Sequence, residues 1–261
     1  MRLAAAIMFL TRIPVPGYRP DAPANLGRAT VFFPIVGLGI GALQWGFARG
    51  VTWIAERVVI LAGRPYAFPP LLLALLIVAL GVAITGALHL DGLADMADGF
   101  GGGRTREDIL RIMRDHAIGA YGAIALILVL AVKAASTYLL IERNLAFPYL
   151  LAAPLLARWA IVPIAYFLPY ARTEGGGLGT LMEGTGLLHV LTSTVITLGI
   201  TLWLGGWQGG AAMLACVLAS WWNIRISRRR IQGMTGDTLG ANTEICEALV
   251  LATGCVLIQA G

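Results

Sequence analysis

The chain has 261 residues, of which 58% are hydrophobic and only 13% charged, with a formal net charge of +5 and a mean hydropathy of +0.79. A soluble domain of this length has no interior large enough for so much apolar surface, so a water-soluble fold is excluded. The apolar runs are continuous rather than alternating, which excludes a membrane β-barrel; the positive balance reads as the positive-inside bias of a membrane protein, not as a nucleic-acid surface.

The expected fold class is all-α: one membrane-embedded domain over residues 1–261, a polytopic bundle of about seven transmembrane helices. Residues 1–13 mimic a short signal peptide, but Pro14-Val-Pro16 follows without a cleavage site, so a retained helix lying in the interface is expected. Seven runs approach the roughly 20 residues that a helix needs to cross the hydrocarbon core. They lie near 29–48, 69–90, 117–141, 146–169, 187–204, 207–224 and 244–260. Pro148, Pro154 and Pro163 predict a bend in the fourth, and Gly205-Gly206 alone joins the fifth and sixth as a tight hairpin. Cys216 and Cys255 sit in apolar runs without metal or redox spacing and read as small core residues.

With the N-terminus cytoplasmic, 13 arginines fall on inner segments and four (Arg49, Arg57, Arg64 and Arg143) on outer loops. Arg19 is among the inner set; Lys133 and Arg158 lie inside spans. That asymmetry predicts the N-terminus inside and the C-terminus outside. The same assignment puts 12 of the 14 acids on the inner side, all but Glu56 and Glu142.

Chemistry concentrates in His89-Leu-Asp91-Gly92-Leu-Ala-Asp95-Met-Ala-Asp98-Gly99, directly after the second span. Asp91, Asp95 and Asp98 at i, i+4 and i+7 form one acidic stripe on a helix. Like charges so spaced repel, and a shared divalent cation or a bound cationic group would remove the penalty; hard oxygen ligands suit magnesium better than zinc. Asp91 and Asp98 would lie about 10 Å apart along the axis, too far for one ion to bridge. Either two metals bind, or one draws ligands from a second acidic segment.

Gly99-Phe-Gly101-Gly102-Gly103 reads as a turn that lets backbone approach a phosphate, or as a plain reversal between helices. Thr105-Arg-Glu-Asp108 reads as a helix start, with Asp108 capping and the helix running to Asp115. Asp115 is a candidate ligand near the bilayer. The second acidic segment is Gly233–Glu247, where Asp237 and Glu244 share a face and Gly240-Ala241 allow close approach. Arg111, Arg114 and Arg172 are candidate phosphate contacts, Arg172 opening the Gly-rich stretch Gly175–Gly179. Arg158, deep in its span, is a candidate substrate contact, whereas Lys133 reads as snorkelling. Arg228-Arg229-Arg230 reads as a topology anchor near anionic lipid. His89 reads as a pocket-edge residue able to touch substrate or act as a base, or as a polar interfacial histidine like His116 and His189.

These segments resemble the cobalamin synthase family. The resembling residues are Phe9–Pro16, Phe33–Gly37, His89–Gly99, Leu110–Asp115, Ile118–Gly122 and Thr235–Ala241, in order over nearly the whole chain. His116 departs from the family pattern, which has a small polar residue there. The resemblance implies a magnesium-dependent, multi-pass transferase of the bacterial cell inner membrane, its site facing the cytoplasm. It implies transfer of the adenosylcobinamide phosphate moiety of adenosylcobinamide-GDP to α-ribazole or its 5′-phosphate, with release of GMP, late in coenzyme B12 assembly. Asp91, Asp95, Asp98 and Asp237 would surround magnesium, with Asp115 and Glu244 completing the shell and one carboxylate serving as base. The two substrates and membrane lipid are the implied partners; nucleic acid has no role, and a homo-oligomer is compatible. A CDP-alcohol phosphotransferase fits less well, because the Ala-Arg of its signature is replaced here by Asp95-Met96. A cation transporter would hold its acids at the bilayer midplane in broken or repeated helices, and no repeat is evident.

Overall fold

A computed structural model describes residues 2–17, 26–62, 68–115, 117–172, 182 and 184–257. The Gly175–Gly179 stretch, His116, Arg19 and Arg64 lie outside the described residues. Among the described residues the chain is helical, with one isolated β-bridge between Tyr170 and Met234.

Helix α1 (Arg2–Leu10) buries Ala6 and Leu10, and Phe9 stacks on Phe33 with centroids 5.6 Å apart. Helix α2 (Leu26–Ala29) and a 3₁₀ turn (Thr30–Phe32) lead into α3 (Phe33–Ala62), which extends well past the predicted first span. Helix α4 (Pro70–Thr85) begins on Pro70, where the missing N–H has no partner to lose. It ends at Gly86, in the left-handed region at φ +62°, where a Cβ would run into the Arg12 side chain. Ala87 follows at φ 59°, and α5 (Leu88–Gly102) leaves at 89° to α4. The predicted single span 69–90 is therefore two elements: the apolar run continues to Leu90, but the left-handed pair turns the chain first.

Helix α6 (Arg106–Ile112) is capped as predicted, the Asp108 N–H donating to Thr105 Oγ1 at 3.1 Å, but stops short of Asp115. Then come α7 (Ala120–Glu142), α8 (Ala146–Phe167), α9 (Leu187–Arg230) and α10 (Gly236–Leu257). Among the described residues five helices are long and apolar enough to cross a membrane, or six if the bent α4–α5 pair is one span. The 44 residues of α9 are not straight: Gly206 sits at φ 53°, ψ −136°, outside helical space. A Cβ on Gly209 would strike the Thr201 carbonyl, although eight residues of continuous helix span about 12 Å. Two antiparallel arms therefore meet at the Gly205-Gly206 hairpin.

Helix α8 is the hub, buried on nearly every face and packed on α3, α9 and α10. It runs unbroken through Pro154 and Pro163. Pro154 has no N–H for the Leu150 carbonyl, and Gly41 of α3 lies against that carbonyl; Gly37, one turn earlier, lies against the Pro154 carbonyl. The Gly37/Gly41 spacing is the small-residue pattern that lets membrane helices touch by their backbones.

Candidate active site

The two acidic segments meet. A Cβ built on Gly92 of α5 would lie 2.8 Å from Asp237 Cα of α10, and one on Gly240 would lie 3.1 Å from the His89 carbonyl oxygen. With backbone against backbone, Asp91 and Asp95 stand beside Asp237. Thr235 and Thr238 fix the start of α10 by exchanging N–H and hydroxyl bonds of 3.0 and 3.2 Å, and the Thr235 hydroxyl donates to Asp237 Oδ2 at 3.2 Å.

Arg172 reaches the same place through a backbone clamp. The Ala171 N–H donates to the Met234 carbonyl and the Met234 N–H to the Pro169 carbonyl, both at 2.8 Å. A Cβ at Gly233 would lie 2.5 Å from the Pro169 carbonyl oxygen, so only glycine lets these strands approach. Arg106 staples both to α6, donating to the Ala171 carbonyl at 2.5 Å and the Ile231 carbonyl at 3.1 Å. Arg172 then donates from Nη2 to Asp237 Oδ2 at 2.7 Å and to the Met113 carbonyl at 3.3 Å.

Burial, with Asp237 and Asp91 beside it, pushes the Asp95 carboxyl up to about 7, against a smaller opposing pull from Arg172. Two hollows open here, with Arg172 on the rim of both. One, about 750 Å³, is lined by His89, Asp91, Tyr170, Arg172 and Asp237 over an apolar floor that includes Phe9 and Ile161. His89 is buried, and its Nδ1 has no hydrogen-bond partner among the described residues. The other, about 690 Å³, is lined by Arg106, Arg111, Arg114 and Arg172, with Glu107 its only acid among the described residues. Sequence reading missed Tyr170 and Phe9; Phe9 belonged to a recognised motif, but nothing local showed that α1 folds back to the site.

Four expected site residues are placed elsewhere. Asp98 is buried at the start of α7, its oxygens accepting the Gly119 N–H at 2.7 Å and the Gly122 N–H at 2.9 Å. A helix N-terminus offers partial positive charge and unpaired donors, and both stabilise this carboxylate. Asp115 is exposed beyond α6, where it accepts the Ala117 N–H at 3.2 Å. Glu244 is inside the bundle, accepting from Lys133 Nζ at 2.9 Å. Arg158 is buried against Glu247, which also accepts from Lys133. Lys133 thus does not snorkel: it closes a buried four-charge network across α7, α8 and α10. Two acids at i and i+3 opposite two buried cations were the available signal.

The predicted glycine turn after Asp98 is also corrected. Gly99, Gly101 and Gly102 continue α5, and Cβ atoms at Gly99 and Gly101 would collide with Met113 and the Tyr121 ring. These glycines serve helix packing, which overrides their weak helix propensity.

Among the described residues no three His, Cys, Asp or Glu side chains form a ready-made metal cage. Magnesium does not require one, since it commonly keeps several waters and takes one or two carboxylates plus substrate phosphates. Asp91, Asp95 and Asp237 fit it in donor type.

A family model described as cobalamin-5-phosphate synthase matches residues 2–255. A protein of Chlorobium phaeobacteroides (strain BS1) named adenosylcobinamide-GDP ribazoletransferase is 37% identical, covering 98% of this chain and 97% of its own. Proteins with the same name from Rhizobium etli (strain CIAT 652) and Syntrophobacter fumaroxidans (strain DSM 10017 / MPOB) are 38% and 39% identical, covering 98% and 97% of this chain and 96% and 97% of their own. No solved structure matches. Full-length similarity of this kind, on a chain whose recognised motifs meet around one pocket, places the protein in the cobalamin-5-phosphate synthase family.

Proposed function

We propose that this chain transfers the adenosylcobinamide phosphate moiety of adenosylcobinamide-GDP to α-ribazole or its 5′-phosphate, at the cytoplasmic face of a bacterial inner membrane. The family makes it a transferase of cobalamin assembly, and the names of its relatives supply the two substrates. The observation that carries the reading is the α5–α10 contact, which sets Asp91, Asp95 and Asp237 beside Arg172.

The ribose 3′-oxygen attacks the phosphorus attached to cobinamide, the phosphoanhydride bond breaks, GMP leaves, and the hydroxyl proton passes to a carboxylate of the cluster. Asp91, Asp95 and Asp237 would hold magnesium, which when bound would neutralise phosphate oxygens. Arg172, tied to Asp237 and the Met113 carbonyl, holds the diphosphate between the two hollows. Arg111 and Arg114 receive the phosphate of the departing nucleotide, which the aspartate side would repel. His89 and Tyr170 line the acidic side, where the acceptor ribose enters.

The test is purified protein in nanodiscs with adenosylcobinamide-GDP, α-ribazole and Mg²⁺, following GMP release by chromatography. Turnover is expected, with Asp237→Asn lowering it at least about 100-fold. Folded wild-type protein that releases no GMP overturns the assignment.

A further inference from the structure

We infer that the hollow between the C-terminal end of α8 and the second arm of α9 binds the headgroup of an anionic phospholipid. The hollow measures about 940 Å³ and lies outside the two that form the catalytic site. Its walls are apolar and aromatic, among them Trp159, Phe167, Val217 and Trp221; its charged residues are Arg225 and Arg228, and no carboxylate lines it among the described residues. Phe167 and Trp221 are each 52% exposed, as side chains facing lipid would be.

Both arginines are held in place without being neutralised. The Arg225 guanidinium lies 5.0 Å from the Trp221 ring centroid, and Arg228 Nη2 donates to the Phe167 carbonyl at 3.0 Å. Among the described residues neither forms an ion pair. Arg230, two residues on, is engaged elsewhere, its Nη2 donating to the Phe100 and Gly103 carbonyls at 3.0 and 2.8 Å and so tying α9 to the end of α5. The basic run therefore divides, one member bracing the active-site helix and another joining Arg225 at the hollow. The same bonds place the hollow at the end of the bundle that carries the aspartates.

Two guanidiniums above an apolar wall match a phosphate joined to acyl chains. Arginine donors suit phosphate oxygens, and basic hollows between membrane helices suit anionic headgroups. A free anion would use only the cationic rim. A zwitterionic lipid brings its own cation and gains less.

The full chain in detergent is titrated with bromine-labelled phosphatidylglycerol or phosphatidylcholine, reading tryptophan quenching. Phosphatidylglycerol should half-quench at about 30-fold lower mole fraction, given roughly 1 kcal/mol for each of the two arginines near an anionic surface. Arg225→Gln with Arg228→Gln should abolish that preference, and Trp221→Phe should remove most of the extra quenching. If the double variant does not fold, Arg225→Gln alone, which leaves the Arg228–Phe167 bond intact, should reduce the preference to about fivefold. Equal quenching by the two lipids, a preference unchanged in the arginine variants, or complete displacement by millimolar inorganic phosphate overturns the inference. Catalysis is not part of the readout.

Discussion

A methyl group on Gly92 would meet the Asp237 main chain at 2.8 Å, a separation that real Cβ atoms do not tolerate against backbone. Gly92→Ala must therefore push α5 off α10 and separate the aspartates. A displacement of about 1 Å at a reacting centre costs on the order of 100-fold, so GMP release should fall by that factor while circular dichroism stays helical. Together with Asp237, whose carboxyl burial also raises, Asp95 carries the pH dependence. Its carboxyl, raised from 3.8 to about 7, keeps its proton in the folded state over a range where the unfolded chain has lost it. Without metal, the Asp95 contribution to stability is therefore greatest below pH 4 and declines as pH rises towards 7. A cation competes with that proton, so Mn²⁺ affinity measured by calorimetry should be weaker at pH 6 than at pH 8. Asp95→Asn should flatten the dependence. The acidic stripe itself was legible in the sequence; that Asp98 turns to cap α7 was not, because its partners lie 21 and 24 residues away.

Among the elements, α10 shows how helical periodicity informs and misleads. The seven-residue spacing of Asp237 and Glu244 correctly puts both on one face, but the helix enters the bundle between them. Its first two turns meet α5 at the site, and its third and fourth meet Lys133 and Arg158 inside. Removing one partner of a buried ion cluster leaves a charge with no water and no counterion. Lys133→Met should cost about 3–5 kcal/mol, seen as a lowered Tm in detergent, and Lys133→Met with Glu244→Gln should recover much of it, because Arg158 and Glu247 remain paired. Recovery without any gain in Mg²⁺ affinity would separate this network from the metal-binding aspartates. The hairpin of α9 was readable from Gly205-Gly206, because that backbone conformation is open mainly to glycine. The 89° turn after α4 was not, since it rests on a left-handed Ala87, a conformation uncommon for a non-glycine residue, beside a Gly86 packed by the distant Arg12.

At the scale of the whole molecule, the end of α4, the start of α7, the ends of α8 and α9 and the start of α10 gather around one site. Alternating crossings bring these termini to the same face. With the arginine bias setting the absolute direction, a cysteine at Arg104 should react with a membrane-impermeant maleimide only from the cytoplasmic side, and one at Arg143 only from the outside; the reverse pattern would invert the proposed orientation. Composition and continuous hydropathy alone determined that the chain is a helical membrane protein, because no other fold satisfies both its apolar surface and its backbone polar groups in lipid. The order of its motifs determined the family resemblance. Tertiary structure alone decided which acids come together: Asp91 and Asp237 line one pocket with Asp95 beside them, while Asp98 and Glu244 bind a helix terminus and a lysine. The reason is that spacing along a helix fixes which side chains share a face, whereas what that face meets depends on residues far away in the chain, here glycines that let two backbones touch.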